Sequence, residues 1–337
     1  MAAPVVLEVD DLHAHLVARW GVVRAVDGVS FCLRQGETLG IVGESGSGKS
    51  MTALALLRLL PRPAGRIVKG RVVLAGDDIL AKDEAAMRRL RGRLISMILQ
   101  DPQTSLNPVF TIGDQLAEAI AMRHAEPRRG LLARAVEALR RVRVAAPEQR
   151  IASYPHQMSG GMKQRVVGAM ALACEPQLVL ADEPTTSLDV TIQAQYLRLL
   201  QELQRERGLS ILFITHDFGV VAEMCDAVLV MYAGRIVERG PVHAIFDRPG
   251  HPYTQALLDS VPRLERRVTR LYAIQGQPPA LFDLPPGCRF AERCPFADVR
   301  CREQYPPSFA LGPDHEASCW RLEEPTWTPT SSFAPKA

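Results

Sequence analysis

Long apolar runs are missing from this 337-residue chain. None approaches the ~18–20 consecutive apolar residues that a membrane-spanning helix requires. The N-terminus, MAAPVVLEVDDLHAH, also lacks a basic stretch followed by an apolar core, so a secretory signal is not expected. The chain should therefore stay in the cytosol, where disulfides are rare. An excess of charge of one sign is missing too. The 40 basic and 37 acidic residues leave a net +3, too balanced to point to nucleic acid. No repeat of fixed period appears, and no helical stretch sustains the a/d pattern of a coiled coil. What is present is apolar substance: hydrophobic residues make up 47%, enough for a substantial core. The length suits two domains, or one large domain with an extension. Fifteen of the 25 prolines lie from Pro241 onward, and four of the seven cysteines (Cys288, Cys294, Cys301 and Cys319) fall in the last 50 residues. The final third is built differently from the rest.

Hydrophobic patterning predicts strands at 5–9, 26–33, 38–42, 72–74 and 95–99. It predicts helices over 51–60, 115–122, 131–142 and 162–174. Thereafter strand 178–181, helix 191–206 and strands 211–214 and 227–231 follow. Strand–helix alternation of this kind implies an α/β fold with a parallel sheet covered on both faces. Arg128, Arg129, Arg140 and Arg141 read as a solvated helix face. Beyond Gly240 one short helix, 253–260, stands among proline- and glycine-punctuated pieces.

Gly43-Glu44-Ser45-Gly46-Ser47-Gly48-Lys49-Ser50 fits G-x-x-x-x-G-K-[ST] at every fixed position, with a strand before it and a helix after it. Such glycines let backbone N–H groups turn inward around phosphate oxygens, and the helix N-terminus adds positive potential. Lys49 is placed to reach β/γ-phosphates and the Ser50 hydroxyl to ligate Mg²⁺. The apolar strand 178–181 ends in Asp182-Glu183, where open α/β sheets bind ligands. Asp182 is placed to hold Mg²⁺ and Glu183 to polarise an attacking water.

Between these motifs stands Ser159-Gly160-Gly161-Met162-Lys163-Gln164-Arg165, and with it residues 5–240 resemble the ATP-binding cassette (ABC) family of transport ATPases. The resemblance implies a P-loop NTPase cassette: a parallel-sheet core with an antiparallel β subdomain and a helical subdomain at about 104–165. It assigns Trp20 to stacking on adenine and Gln100 to sensing Mg²⁺ and the attacking water. Ser159, Gly160, Gly161 and Met162 match the motif that contacts the ATP of a partner subunit, and Ser187-Leu188-Asp189 the D-loop. His216 matches the switch histidine, acting beside Glu183 and Lys49. Gly43 to Met51 would cradle the nucleotide. Two positions depart from the family: methionines at 158 and 162 replace the outer Leu and Gln of the signature, and Met51 stands where Thr is commoner.

Three further stretches, Gln100 to Pro108, Tyr154 to Met162 and Asp182 to Thr191, resemble the oligopeptide/dipeptide importer branch, as do Gly250-His251-Pro252-Tyr253-Thr254 and Gly276-Gln277-Pro278-Pro279. Residues 1–245 would form the cassette and 246–337 an extension. The branch implies a second ABC ATPase subunit, two membrane permeases and an extracytoplasmic solute-binding protein. It also implies a peripheral position on the cytoplasmic face of the membrane and no nucleic acid partner. Nickel and other small-solute importers share the pattern, and a soluble non-transport ABC ATPase is the remoter alternative. The four late cysteines are spaced C-x5-C-x6-C-x17-C. Clustered thiols in a cytosolic chain suggest metal before disulfide. Zn²⁺, an iron–sulfur cluster and reduced structural cysteines all remain open, with His315 a ligand only for zinc. The resemblance favours a [4Fe–4S] cluster, found in D-type subunits of the branch. Cys32, Cys174 and Cys225 are expected as small buried hydrophobes.

Overall fold

The computed structural model describes residues 3–19, 21–261 and 272–324. They fall into two compact units, one gathering Met1–Glu8, Cys32–Thr38 and Val73–Ile214, the other Val9–Phe31, Leu39–Val72 and Thr215–Ala337.

In the first unit three strands run parallel. Ile95–Ile98 pairs with Leu178–Asp182 (Ile95 opposite Leu178), which pairs with Ser210–Thr215 (Leu178 opposite Ser210). Every residue of the latter two strands is buried. That pattern belongs to a parallel sheet covered on both faces. Helix Val190–Arg207 buries Tyr196, Leu197, Leu199, Leu200 and Leu203 on one stripe. Asp189 caps it by accepting the Ile192 N–H at 3.0 Å, a strong start signal. Helices Ile112–Ala121, Arg128–Arg141 and Gly160–Leu172 pack on one another. The arginines are a solvated face, as expected: Arg140 pairs with Glu137 at 2.6 Å and Glu148 at 2.5 Å on the surface.

In the second unit strand Thr38–Val42 lies parallel to Ala227–Tyr232, with Val42 opposite Val230. Arg235–Pro241 returns antiparallel to it. The late segment adds two strands the hydrophobic pattern did not reveal, His315–Ala317 and Phe309–Gly312. His315–Ala317 pairs with Arg235–Pro241 (Glu238 opposite Ala317), and Phe309–Gly312 continues the sheet beyond it. Each is too short for alternation to register. Their hairpin turn is readable in retrospect from Gly312-Pro313-Asp314, where Asp314 takes φ +55°. Most of a four-stranded sheet also lies here, ordered Gly21–Arg34, Val5–Ala18, Gly65–Leu74, Asp77–Asp78.

Several expectations change, among them the strands at 5–9 and 72–74, which run longer as Val5–Ala18 and Gly65–Leu74. The helix predicted over 51–60 spans Lys49–Leu56. Arg58 turns left-handed at φ +54° and Leu59 N–H bonds the Leu54 carbonyl at 2.8 Å, closing the helix end before Pro61. Cys32 is exposed rather than buried, because strand alternation turns Phe31 and Leu33 inward and the residue between them outward. Cys174 is buried and Cys225 partly so. No helix among the described residues is long and apolar enough to cross a membrane.

The late segment shares its core with the strand leading to the phosphate loop. Val42, Val228, Val230, Tyr232, Tyr253 and Phe290 form one buried cluster, with Cys288 and Cys294 packed against it. At its edge Glu238, 1% exposed, accepts N–H groups from Gly250 at 2.5 Å and His251 at 2.9 Å. His315 Nε2 lies 2.9 Å from the same carboxylate. A buried donor left without its acceptor costs ~1–3 kcal/mol. Glu238→Ala should therefore lower the unfolding free energy by at least ~3 kcal/mol with an unchanged urea m-value. A loss below ~1 kcal/mol would show that water replaces the carboxylate.

Candidate active site

The phosphate loop follows strand Thr38–Val42 and opens helix Lys49–Leu56. Two of its glycines are dictated by close approach. At Gly43 (φ +153°) an added Cβ would lie 2.1 Å from the Met231 carbonyl oxygen; at Gly48 (φ +110°) it would lie 2.2 Å from that of Ala25. No L side chain fits either backbone. The loop is further tied by Gly234 N–H to the Ser47 carbonyl, 2.8 Å. Lys49, 5% exposed, donates to the Gly43 carbonyl at 2.8 Å and the Glu44 carbonyl at 3.0 Å, so its ammonium sits inside the curve of the loop. Ser45 and Gly46 form the exposed crest; Ser50 and Met51 begin the helix.

Asp182 ends its strand buried, and Glu183 follows at φ +44°. A left-handed glutamate is strained, a kind of strain concentrated at functional sites. Gln100 Nε2 donates to Glu183 Oε2 at 2.9 Å and Thr186 Oγ1 donates to the same oxygen at 3.0 Å. The structure thus brings Gln100 and Glu183 together, although 83 positions separate them. Ser159 caps helix Gly160–Leu172 by accepting the Met162 N–H at 3.3 Å. At Gly161 an added Cβ would meet the Ile192 Cγ2 methyl at 2.8 Å, so a larger residue there displaces Ile192. Gly160 has ordinary backbone angles and nothing within 4 Å of such a Cβ, so the chain's own packing does not demand glycine there. His216 comes directly after strand Ser210–Thr215, and Asp217 caps the next helix, accepting from Gly219 N–H at 2.8 Å. Trp20 lies outside the described residues.

Cys288, Cys294, Cys301 and Cys319 line one cavity with Phe290, Phe296 and Pro306. Burial pushes the Cys288 thiol up to about 11, and those of Cys294 and Cys319 up to about 12. Burial also raises the Cys301 thiol. The donor set suits a thiophilic metal centre, which would have to displace those protons. His315 takes no part: its ring is committed to Glu238.

Sequence reasoning missed Arg293 and Tyr253. The Arg293 guanidinium grips the Glu44 carboxylate with both arms, Nη1 to Oε2 at 2.6 Å and Nη2 to Oε1 at 2.9 Å. The Tyr253 hydroxyl accepts the Glu44 N–H at 2.8 Å. Only the Gly250-His251-Pro252-Tyr253-Thr254 motif hinted at the second; nothing local marked the first. Arg289 holds the Ala233 carbonyl and ion-pairs with Asp27.

A glycine-cornered phosphate loop between a strand and a helix, with parallel strands, one of them ending in Asp-Glu, defines a P-loop ATPase. The profile described as "ABC transporter" matches residues 26–186, and "Oligopeptide/dipeptide transporter, C-terminal region" matches 237–301. A probable peptide ABC transporter ATP-binding protein of Sinorhizobium fredii is 53% identical over 96% of each chain. The dipeptide transport ATP-binding protein DppD of Bacillus subtilis is 48% identical over 95% of each. Among solved structures, a dimeric post-hydrolysis ATP-binding cassette bound to ADP and Pi aligns with TM-score 0.63 at 25% identity, covering 70% of this chain and 98% of that one. The chain belongs to the ABC transporter family, in its group with an oligopeptide/dipeptide-type C-terminal region, and is an ATP-binding ATPase of that family.

His251 supplies a solution test of the site's support. Its Nδ1 accepts the Tyr253 N–H at 3.0 Å, and complete burial holds its pKa down to about 3, against an ordinary 6.5. The folded state binds fewer protons than the unfolded chain between those values. Stability is therefore full above pH 6.5 and falls as the pH drops toward 3, by up to ~1.4 kcal/mol per pH unit. His251→Asn keeps a cap acceptor and should shallow that acid limb by one proton. Identical slopes for the two proteins would mean His251 is protonated in the fold.

Proposed function

We propose that this chain hydrolyses ATP to power import of oligo- or dipeptides through a membrane permease complex. The observation that carries the reading is the pairing of the phosphate loop with a C-terminal region of the oligopeptide/dipeptide type, in a chain alignable end to end with proteins named for peptide transport. A nickel or other small-solute importer is the second reading, because the solute pocket would lie in other chains. In our assignment residues 1–245 are the cassette, with the helical subdomain at about 104–165, and 246–337 the extension. The chain works peripherally at the cytoplasmic face, with a second ABC ATPase subunit, two permeases and an extracytoplasmic solute-binding protein.

Within the site, Gly43 to Met51 cradle the triphosphate and Lys49 balances charge at the γ-phosphoryl. Ser50, Gln100 and Asp182 would hold Mg²⁺, which supplies charge neutralisation at the phosphate oxygens. Glu183 takes the proton of the attacking water, and His216 orients that water against the γ-phosphate. The Gln100–Glu183 hydrogen bond supports this, since it aims the carboxylate. Ser159, Gly160, Gly161 and Met162 serve the ATP of the partner subunit. The unconstrained Gly160 supports that role, because its bare backbone leaves room for a group from outside the chain. The four thiols would hold a [4Fe–4S] cluster, with Zn²⁺ as the alternative. That all four thiols line one cavity supports a shared bound group, whose role would be to staple a proline-rich segment.

Glu183→Gln should bind ATP normally and lose hydrolysis by ~10²–10⁴-fold; near wild-type turnover would remove Glu183 as the base. Protein purified without oxygen should be brown, absorbing near ~400 nm, with iron and acid-labile sulfide in equal amounts. Stoichiometric zinc in a colourless protein would decide for the alternative.

A further inference from the structure

We propose that Arg293 and Tyr253, in the C-terminal extension, are positioning residues of the nucleotide site, holding the phosphate loop ready for the polyanion. The proposal rests on the reading that ATP binds at this loop. Glu44 places a carboxylate at the second position of a loop that must receive a triphosphate, where an uncompensated negative charge opposes binding. Each of its polar groups is engaged. The N–H goes to the Tyr253 hydroxyl at 2.8 Å, and the carbonyl accepts Lys49 at 3.0 Å and Ser47 N–H at 3.2 Å. The carboxylate lies in the two-armed grip of Arg293. A bidentate guanidinium pair both neutralises the charge and fixes its direction.

Arg293 is itself anchored. Its side chain is 4% exposed, it donates to the Gln275 carbonyl at 3.0 Å and the Tyr232 hydroxyl at 3.2 Å, and its guanidinium carbon lies 5.8 Å from both the Tyr232 and Phe290 ring centres. Tyr232 and Tyr253 in turn pack with centroids 4.5 Å apart. Arg293 closes the short turn Ala291–Arg293, between Cys288 and Cys294. The segment that carries two of the four thiols therefore also carries the side chain that clamps the loop. Arg289, in the same segment, bonds the Ala233 carbonyl next to Gly234, whose N–H holds Ser47. Extension and phosphate loop are joined at two points within one unit.

A clamp of this kind acts on ATP affinity rather than on the chemical step. In the purified full-length chain, Arg293→Gln should weaken binding of a fluorescent ATP analogue about tenfold, the worth of one charge-assisted contact, with kcat at saturating ATP within about twofold. Glu44→Gln added to Arg293→Gln should recover most of that loss, because the charge to be neutralised is gone. Arg293→Lys, which cannot chelate both oxygens, should fall between. Tyr253→Phe removes only the hydroxyl and should weaken binding severalfold, so the test survives if Arg293→Gln does not fold. An unchanged Kd in both Arg293→Gln and Tyr253→Phe overturns the proposal. So does a loss that Glu44→Gln leaves unrecovered, or a fall in kcat at constant KM. Lys49→Ala is the separate control: if it binds ATP as the parent does, the loop is not the nucleotide site and the underlying reading fails instead.

Discussion

The structure turns on a loop of backbone amides that must face inward around an anion. That demand excludes side chains where the loop presses on its surroundings: Gly43 runs against the Met231 carbonyl and Gly48 against that of Ala25. It also leaves the loop thin, with little packing of its own, so its shape is imposed by neighbours. Strand Thr38–Val42 delivers it from a fully buried position, Gly234 ties its middle, and Tyr253 and Arg293 pin its second residue. The aromatic cluster of Tyr232, Tyr253 and Phe290 is the solid ground behind those ties, with ring centres 4.5–5.4 Å apart.

Seen this way, the proline- and cysteine-rich end of the chain is not an appendage. It extends the same sheet through His315–Ala317 and contributes Tyr253 and Phe290 to the core shared with Val42. Its thiols line a cavity to which Ala291, in the turn that carries Arg293, also contributes. Short strands and 3-10 turns bury little apolar surface per residue, so a segment of this kind depends on buried polar anchors such as Glu238.

Legibility followed the range of the interactions. The phosphate loop and the Asp182-Glu183 strand end could be read because each rests on residues within a few positions. The three fully buried strands, Thr38–Val42, Leu178–Asp182 and Ser210–Thr215, were clear from their largely apolar runs. Other features depend on partners far along the chain or on geometry a pattern does not carry. Helix Lys49–Leu56 ends early through a left-handed Arg58, and the outward turn of Cys32 follows from register. The His315 ring, a zinc ligand by composition, is claimed by Glu238 instead, 77 positions away.

The sequence by itself determined the chemistry: which residues can cradle a triphosphate, which carboxylates stand at the strand end, and that four thiols gather late in the chain. Those features are local, and local backbone preference is written in residue type. Tertiary structure alone decided what supports the chemistry. Glu44 meets Arg293 across 249 positions and Tyr253 across 209, and Glu183 acquires its left-handed backbone and its bond to Gln100 only when the parallel strands are in register. Such pairings follow from how strands stack and helices return, and no stretch of sequence contains both partners.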